Sequence, residues 1–329
     1  MAMATWAGRL GYDDDAEWLK TEAARVRRRI CELLFCPEDQ LFHDRLADGS
    51  FSSATTMTRF YPLLAGVATE ETRRRLKELL LDPRHFWGEC VIPTVSRSDP
   101  VYADCLNHEG NYWRGNIWPP ANYIIYLAVK EAGWDDVAAE LAARSARQFM
   151  EHWDSHGHAY ENYPAEGNMS RDFPFPHMFG GREIRYAWGA LMVLPGLEEI
   201  FGLEVTGPGL RFGNPYLPEQ SSWNNFQFAG QNVRAETGPQ RTHVEMGETW
   251  TLDAEPGVGI RHFVFENGTT EFVANTPMAI RLTSISAATS PKAQVLLNGK
   301  RMEAIRDGDS LSIDIHPDST RVQILEIAG

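Results

Sequence analysis

The first half of the chain has hydrophobic residues at the spacing of amphipathic α-helices. From Asp15 onward, apolar positions recur at steps of four and three residues, which predicts one helix with a single buried stripe. These positions are Leu19, Ala23, Val26, Ile30 and Leu33. Residues 1–10 have the pattern of the last turns of a helix closed by Gly11, so we expect the chain to be a fragment of a longer protein.

Further helices follow with clear start and stop signals. Thr69 precedes two glutamates, which is typical of an N-cap with an acidic first turn, and Pro83 should end that helix. The other predicted helical segments cover residues 51–68, 122–132, 134–153 and 184–194, the last ended by Pro195 and Gly196. Two long loops, about 83–121 and 155–182, interrupt the helices, and such loops in a compact domain are usually functional.

Beyond residue 206 the pattern changes to a period of two. Short alternating runs are separated by Asn-Gly and Asp-Gly turns, which predicts an antiparallel β-sandwich. The runs cover residues 241–246, 249–253, 259–265, 271–274, 279–284, 294–297, 310–315 and 321–327. We therefore expect a helical domain over 1–204, a linker over 205–240, and a β-sandwich over 241–329 that covers the helical domain or binds carbohydrate.

Charge and hydropathy exclude several classes of partner. The 329 residues are 43% hydrophobic and carry a formal net charge of −14 without a basic stripe. Nucleic acid and anionic membrane are therefore not expected partners. No window approaches the roughly 18 apolar residues of a membrane span, and no signal peptide opens the chain.

Cysteine and histidine usage predicts no metal. The four cysteines form no C-x-x-C pair and no zinc spacing, which indicates reduced thiols in a cytoplasmic protein. They are Cys31, Cys36, Cys90 and Cys105. Three histidines, His156, His158 and His177, have no carboxylates at metal-ligand spacing, so we expect neither a metal nor a cofactor.

The segment from residue 111 to 123, NYWRGNIWPPANY, concentrates aromatic rings, amides and one arginine. Indole and phenol rings offer flat apolar faces that stack on the C–H faces of sugars. Arg114 offers a planar fork of donors for hydroxyls or a carboxylate, and Gly115 permits a close backbone approach. The segment is therefore either the floor of a sugar site or a buried aromatic corner in which Arg114 pairs with a nearby acid.

Two further places carry candidate chemistry. Glu161 lies between aromatic residues in the second long loop, where a carboxylate can act as a general base. Alternatively, Glu161 is an ordinary exposed acid of the loop, although that description fits Glu166 better than Glu161. Trp188 lies in the motif Tyr-Ala-Trp-Gly at the start of the last predicted helix.

Residues 112–123 resemble the Y-W-R-G-P-[IV]-W-P-P-x-N-Y segment of glycoside hydrolase family 63 and of the related mannosylglycerate and glucosylglycerate hydrolases. Trehalases of family 37 belong to the same clan. Segments 58–66, 86–102 and 160–163, together with Trp188, resemble other motifs of the family in the same order. The resemblance covers about residues 1–200.

The resemblance implies a mainly α fold, the C-terminal half of an (α/α)6 toroid, followed here by the antiparallel β-sandwich. It implies inverting hydrolysis of α-linked glucosides or mannosides, with an oligosaccharide or small glycoside as substrate. Glu161 matches the family's general base. The matching sugar-binding residues are Tyr112, Trp113 and Trp118, with Arg114 orienting the loop or a hydroxyl and Trp188 forming part of the wall.

Several departures from the family change what we expect of this chain. The family's general acid is an aspartate far upstream of the Y-W-R-G motif, so the isolated chain is expected to lack turnover. Glu109 or Asp172 could replace that acid only by coincidence. Asn116 stands where the family has proline, and the loop over 164–182 is longer than expected.

Two other functions stay open at this point. The chain could be a non-catalytic sugar-binding or scaffold protein that completes its toroid as a homo-oligomer, because half a toroid exposes an apolar face. It could also be a polysaccharide lyase that acts on a uronate. The residues for that role would be Asn107, His108, Tyr112 and Arg114.

Overall fold

The computed structural model describes residues 2–103, 112–166 and 185–200, and from residue 204 onward the strands together with residues 216, 230, 238, 241, 247, 298 and 299. The chain divides into two compact units, residues 1–195 and 196–329. Among the described residues, no helix has the length and apolarity that crossing a membrane requires.

The helical part contains seven α-helices and a small hairpin among its described residues. The helices are α1 (Ala2–Arg9), α2 (Asp13–Leu34), α3 (Tyr61–Leu64), α4 (Glu70–Leu81), α5 (Pro119–Glu131), α6 (Asp135–His156) and α7 (Leu194–Glu199). The hairpin pairs β1 (Phe35–Cys36) with β2 (Leu41–Phe42). Three 3-10 helices cover Met57–Phe60, Tyr112–Arg114 and Ala187–Met192.

Local sequence signals set the ends of the longer helices. The Thr69 side chain accepts a hydrogen bond from the Thr72 amide over 3.2 Å, which confirms the predicted N-cap of α4. Two prolines open α5, where a missing N–H costs little. Gly157 closes α6 with a left-handed φ of 68°.

The core of the first unit surrounds α5. Ile125, Tyr126, Ala128 and Val129 are fully buried along this helix, as the nearly continuous apolar pattern predicts. The side chains that pack in the same cluster come from α4, α6 and the segments before them, and include Phe60, Leu76, Leu80, Phe86 and Leu141. Burial of each large side chain stabilises the fold by about 1.5–3 kcal/mol, so this cluster holds the loops on either side of α5 in place.

The prediction of a buried stripe along α2 was wrong. Only Ala16 is buried in this helix, whereas Val26 and Leu33 are 44% and 41% exposed. The helix packs against α1 and β1, and the rest of its apolar stripe has little cover among the described residues. Amphipathic spacing therefore identified the helix without identifying what it packs against.

Two other helical predictions need correction. The segment predicted over 51–68 is helical only from Met57 to Leu64. The helix predicted over 184–194 is instead the 3-10 helix Ala187–Met192, and α7 then contains Pro195 and Gly196, which were expected to end it. Proline is tolerated in the first turn of a helix, so α7 begins at Leu194 and accommodates Pro195 in its first turn.

The second unit contains two antiparallel sheets of seven strands each. Its strands are β3 (Glu204–Thr206), β4 (Gly209–Phe212), β5 (Ser221–Phe228), β6 (Gln231–Thr237), β7 (Thr242–Met246), β8 (Trp250–Ala254), β9 (Gly259–Glu266), β10 (Thr269–Asn275), β11 (Ile280–Ser286), β12 (Gln294–Leu297), β13 (Lys300–Met302), β14 (Ile305–Asp307), β15 (Ser310–Ile315) and β16 (Thr320–Leu325). One sheet has the order β13-β12-β16-β10-β9-β4-β3, and the other β14-β15-β11-β8-β7-β6-β5.

Each of the eight predicted runs coincides with a strand, which confirms an antiparallel β domain after the helices. The linker predicted over 205–240 was wrong, because β3 to β6 lie in or across that range. β3 and β5 are edge strands of their sheets. An edge strand carries less apolar alternation than a central one, so the polar run Ser-Ser-Trp-Asn-Asn at the start of β5 resembled a linker.

Candidate active site

The segment that contains Tyr112 and Trp118 forms a compact aromatic floor. Trp118 enters α5 with only 2% of its surface exposed, while Trp113 is 47% exposed. The two indole rings stack with centroids 3.8 Å apart and planes 12° apart. Tyr112 meets Trp118 edge to face at 4.6 Å, and the Trp118 Nε1–H donates to the Tyr112 carbonyl over 3.1 Å. The stack therefore has one buried ring and one ring that offers surface to solvent.

Glu161 lies beside this floor and is almost buried, with 7% of its surface exposed. The Tyr112 hydroxyl donates to its Oε1 over 3.2 Å, and the Asn162 amide reaches its Oε2 at 3.5 Å. The Trp188 Nε1–H donates to the Glu161 backbone carbonyl over 2.9 Å. The carboxylate thus has a hydrogen-bond donor on each oxygen and an indole that fixes its backbone.

A short backbone bridge joins the two loops that carry these residues. The Ile117 amide donates to the Tyr163 carbonyl over 2.8 Å, and the Tyr163 amide donates to the Ile117 carbonyl over 2.9 Å. Trp118 and Trp188 also meet edge to face at 5.9 Å. Tyr112, Trp113, Trp118, Glu161 and Trp188 are therefore brought together, although they are far apart in sequence.

Among the described residues, Arg114 binds the backbone of the first long loop. Its Nε–H donates to the Val101 carbonyl over 3.1 Å, and its own carbonyl accepts from the Ala103 amide over 2.8 Å. A β-carbon on Gly115 would lie 2.6 Å from the Ala103 carbonyl oxygen, so the close approach predicted for this glycine exists. Arg114 and Gly115 together hold the first long loop against the aromatic floor.

The sequence reasoning missed an ion pair between the two long loops. Glu166 was expected to be an exposed loop acid, but it forms an ion pair with Arg97 and accepts from the Tyr102 hydroxyl over 2.9 Å. Arg97 also donates to the carbonyls of Cys90 and Ala165 over 3.1 and 3.2 Å. The pair ties the loop that carries Glu161 to the preceding one. A signal was present in the sequence, because an arginine and an unassigned carboxylate occur in the two long loops.

Several candidates lie outside the described residues: Asn107, His108, Glu109, Asp172 and His177. Among the described histidines, His156 and His158 pack with their ring centroids 6.1 Å apart, and both contact the Tyr160 ring. This contact gives them a role in packing around the second loop.

Residues 1–178 match the family described as the mannosylglycerate hydrolase MGH1-like glycoside hydrolase domain. The chain therefore belongs to this family of glycoside hydrolases, as the resemblance to family 63 implied. A glucosylglycerate hydrolase from Mycolicibacterium hassiacum is 31% identical over 125 residues, which are 36% of this chain and 26% of that protein. The chain thus spans about a quarter of the length of this relative.

Two solved structures are similar to the chain. The family 63 mannosylglycerate hydrolase from Thermus thermophilus, determined in complex with glucose, matches with a TM-score of 0.40 and 22% identity over 56% of this chain and 41% of that one. A sialidase matches with a TM-score of 0.54 and 14% identity over 74% of this chain and 24% of that one. The second likeness extends beyond the helical unit and concerns the fold alone.

Proposed function

We propose that this chain carries the sugar pocket and the general base of an inverting glycosidase that hydrolyses α-linked glucosides or mannosides. The observation that carries the proposal is the environment of Glu161, a buried carboxylate that accepts from Tyr112 over 3.2 Å beside the stacked indoles. Such a carboxylate suits a base that deprotonates water next to a sugar face. Membership of a family of glycoside hydrolases supports the class of reaction.

In the proposed reaction, Glu161 removes a proton from a water molecule while the water oxygen bonds to the anomeric carbon. The bond from that carbon to the leaving oxygen breaks, and the configuration inverts. The leaving oxygen takes a proton from a second carboxyl group, which inverting enzymes hold roughly 6.5–9.5 Å from the base. In the family that this chain resembles, that group is an aspartate far upstream, so the proposal assigns only the base among the described residues.

The proposal extends to the fold and to the first substrates to test. The helical unit would be half of an (α/α)6 toroid, and the two seven-stranded sheets would pack as a sandwich. The exposed apolar positions of α2 support the half toroid, because further toroid helices or a second copy of the chain would bury them. Glucosylglycerate and mannosylglycerate are the natural first substrates, since relatives are named for their hydrolysis.

A substrate that needs no general acid gives the sharpest test. α-D-Glucosyl fluoride releases fluoride, a leaving group that departs without protonation, so a site with only the base can hydrolyse it. We expect fluoride release by the purified chain, with β-glucose as the first product seen by proton NMR. Glu161→Gln should reduce the rate by about 10²–10⁴-fold, the usual contribution of general base catalysis.

Glu151→Gln is the matched control, since Glu151 is an exposed glutamate on α6 and should not affect the rate. Unchanged fluoride release in Glu161→Gln would remove the base assignment. α-Glucose as the first product would remove inversion.

A second candidate function is sugar binding without catalysis, favoured by the exposed face of Trp113 over the buried Trp118. Saturable binding of methyl α-glucoside without fluoride release would support it over the hydrolase.

The lyase is less well supported, because the Tyr112 hydroxyl donates to Glu161 and Arg114 donates to a backbone carbonyl. An unsaturated uronate product, detected by its absorbance, would restore it.

A further inference from the structure

The hairpin of β1 and β2 gathers three side chains with different ligand atoms, none of which is assigned to the sugar site. Cys36 Sγ, a carboxylate oxygen of Asp39 and a ring nitrogen of His43 all lie within 4.8 Å of one another. The His43 Nε2 is 2.7 Å from Asp39 Oδ2. We propose that this hairpin binds a zinc ion through Cys36, Asp39 and His43, with Glu38 as the fourth ligand.

The donor atoms are those that zinc prefers. Thiolate, imidazole and carboxylate bind zinc at about 2.3, 2.0 and 2.0 Å in a tetrahedron, which places neighbouring donors roughly 3.3–3.6 Å apart. The present His43–Asp39 contact is a direct hydrogen bond, so a zinc ion would replace it after the two atoms separate by about 0.6 Å. Both side chains are only partly buried, and the turn between the strands is open to solvent at Pro37 and Glu38.

Glu38 would complete the ligand set by a change of side-chain rotamer, because its carboxylate lies beside Cys36 but outside the group of atoms within 4.8 Å. The Cys36 thiol donates to Glu38 Oε2 over 3.0 Å, so this carboxylate lies beside the sulfur. On binding, zinc would displace the thiol proton to solvent and take both atoms as ligands. Four ligands from eight consecutive residues need no distant element to close the site.

The surroundings of His43 suit a metal ligand. When zinc occupies Nε2, the neutral ring carries its proton on Nδ1 and needs an acceptor there. The Ser52 carbonyl is 3.4 Å from Nδ1 and provides it. Arg59 Nη2 lies 3.1 Å from the same nitrogen, and it has the Ala54 carbonyl at 3.4 Å as an alternative partner. After the change of tautomer, the His43 Nδ1–H and the Arg59 Nη2 therefore each have a backbone carbonyl as acceptor.

The role of such a zinc would be structural and independent of the proposed hydrolysis. The hairpin follows the end of α2, and in the zinc-bound state the His43 Nδ1–H would donate to the Ser52 carbonyl, in the segment that leads into the 3-10 helix Met57–Phe60. A metal in the turn would fix the connection between α2 and the core around α5. Zinc should therefore raise the melting temperature of the chain, since a ligand that binds only the folded state stabilises it.

The experiment is a zinc titration of the full chain after removal of metals with a chelator. We expect one zinc per chain in competition with a chromophoric chelator, and a sulfur-to-metal charge-transfer band when cobalt(II) replaces zinc. Cys36→Ser, Asp39→Asn, His43→Gln and Glu38→Gln should each weaken binding by about tenfold or more. Cys31→Ser is the matched control, because Cys31 is an exposed cysteine on α2 outside the ligand set.

Loss of zinc binding in the ligand variants alone, with an unchanged zinc-free melting temperature in Cys36→Ser, supports the site. The proposal is overturned if the wild type binds no more tightly than the double variant Cys36→Ser, His43→Gln. It is overturned equally if Cys31→Ser loses the cobalt band or if zinc leaves the melting temperature of the wild type unchanged. None of these outcomes depends on glycosidase activity.

Discussion

Asn116 donates a hydrogen bond from its Nδ2 to the Oδ1 of Asn162 over 2.6 Å, and both side chains are completely buried. This contact fixes which end of the Asn162 amide faces Glu161, because Oδ1 is occupied and Nδ2 is left 3.5 Å from Glu161 Oε2. Asn116 stands where the resembling family has proline, which has no side-chain donor. We therefore expect the orientation of the candidate base to depend on Asn116.

Removal of the Asn116 amide should affect both stability and the candidate site. Asn116→Ala leaves the buried Oδ1 of Asn162 without this donor, so we expect a loss of about 1–3 kcal/mol in the free energy of unfolding. The rate of fluoride release should fall while KM changes little, because the rings proposed to bind the sugar are untouched. Chemical denaturation and steady-state kinetics measure the two effects. Asn224→Ala, at an exposed position of β5, is the control. An equal loss of stability and rate in Asn224→Ala would argue against a chain of contacts from Asn116 through Asn162 to Glu161.

The ion pair of Arg97 and Glu166 should be worth more than an exposed pair in the same unit. Arg97 has 13% of its side chain exposed and also binds two backbone carbonyls, so Arg97→Ala should cost about 2–3 kcal/mol of stability. Arg84→Ala removes an exposed pair with Asp82 and should lower stability much less, because solvent screens an exposed pair. Denaturation of the two variants under one set of conditions gives the comparison. Similar losses of stability in the two variants would mean that Arg97 is not needed to hold the two long loops together.

Periodicity predicted the elements of this fold better than it predicted their surroundings. The apolar runs of α4, α5 and α6 and the alternation of eight strands follow from which face each residue presents, and these elements lie where the patterns indicated. The same patterns cannot show whether a partner element is near. The stripe of α2 therefore has ideal spacing although the described residues leave Val26 and Leu33 exposed, and the edge strand β5 was mistaken for a linker.

The chemistry of the candidate site was predictable only where one segment carried it. The motif with Tyr112 and Trp118 and the carboxylate of Glu161 stand out locally, and the structure brings them together. Contacts between distant segments did not stand out in the sequence, since Arg97 and Glu166 lie 69 positions apart. The cluster on β1 and β2 was missed for another reason, because its Cys-x2-Asp-x3-His spacing differs from the Cys and His spacings of the usual structural zinc sites.

The two stacked tryptophans should respond differently to substitution. Trp118 is buried and Trp113 is about half exposed, so Trp118→Ala should cost about 3–5 kcal/mol of stability and Trp113→Ala about 1 kcal/mol. Trp113→Ala should weaken binding of methyl α-glucoside by about 1 kcal/mol, roughly fivefold in Kd, and Trp113→Phe should restore part of it. Calorimetric titration and thermal melting measure these effects. Unchanged sugar affinity in Trp113→Ala would remove this ring from the pocket.

Cys90 and Cys31 should differ strongly in reactivity. Burial raises the pKa of the Cys90 thiol to about 12, with Glu89 and Glu166 adding to the shift, whereas Cys31 is exposed on α2. Alkylation requires the thiolate, and a thiol with a pKa about four units above the solution pH is ionised in only about one molecule in ten thousand. At pH 8, iodoacetamide should therefore modify Cys31 and leave Cys90 intact, as peptide mass spectrometry would show. In denaturant the two should react alike, and equal rates in the folded chain would mean that the loop around Cys90 opens to solvent far more readily than its burial indicates.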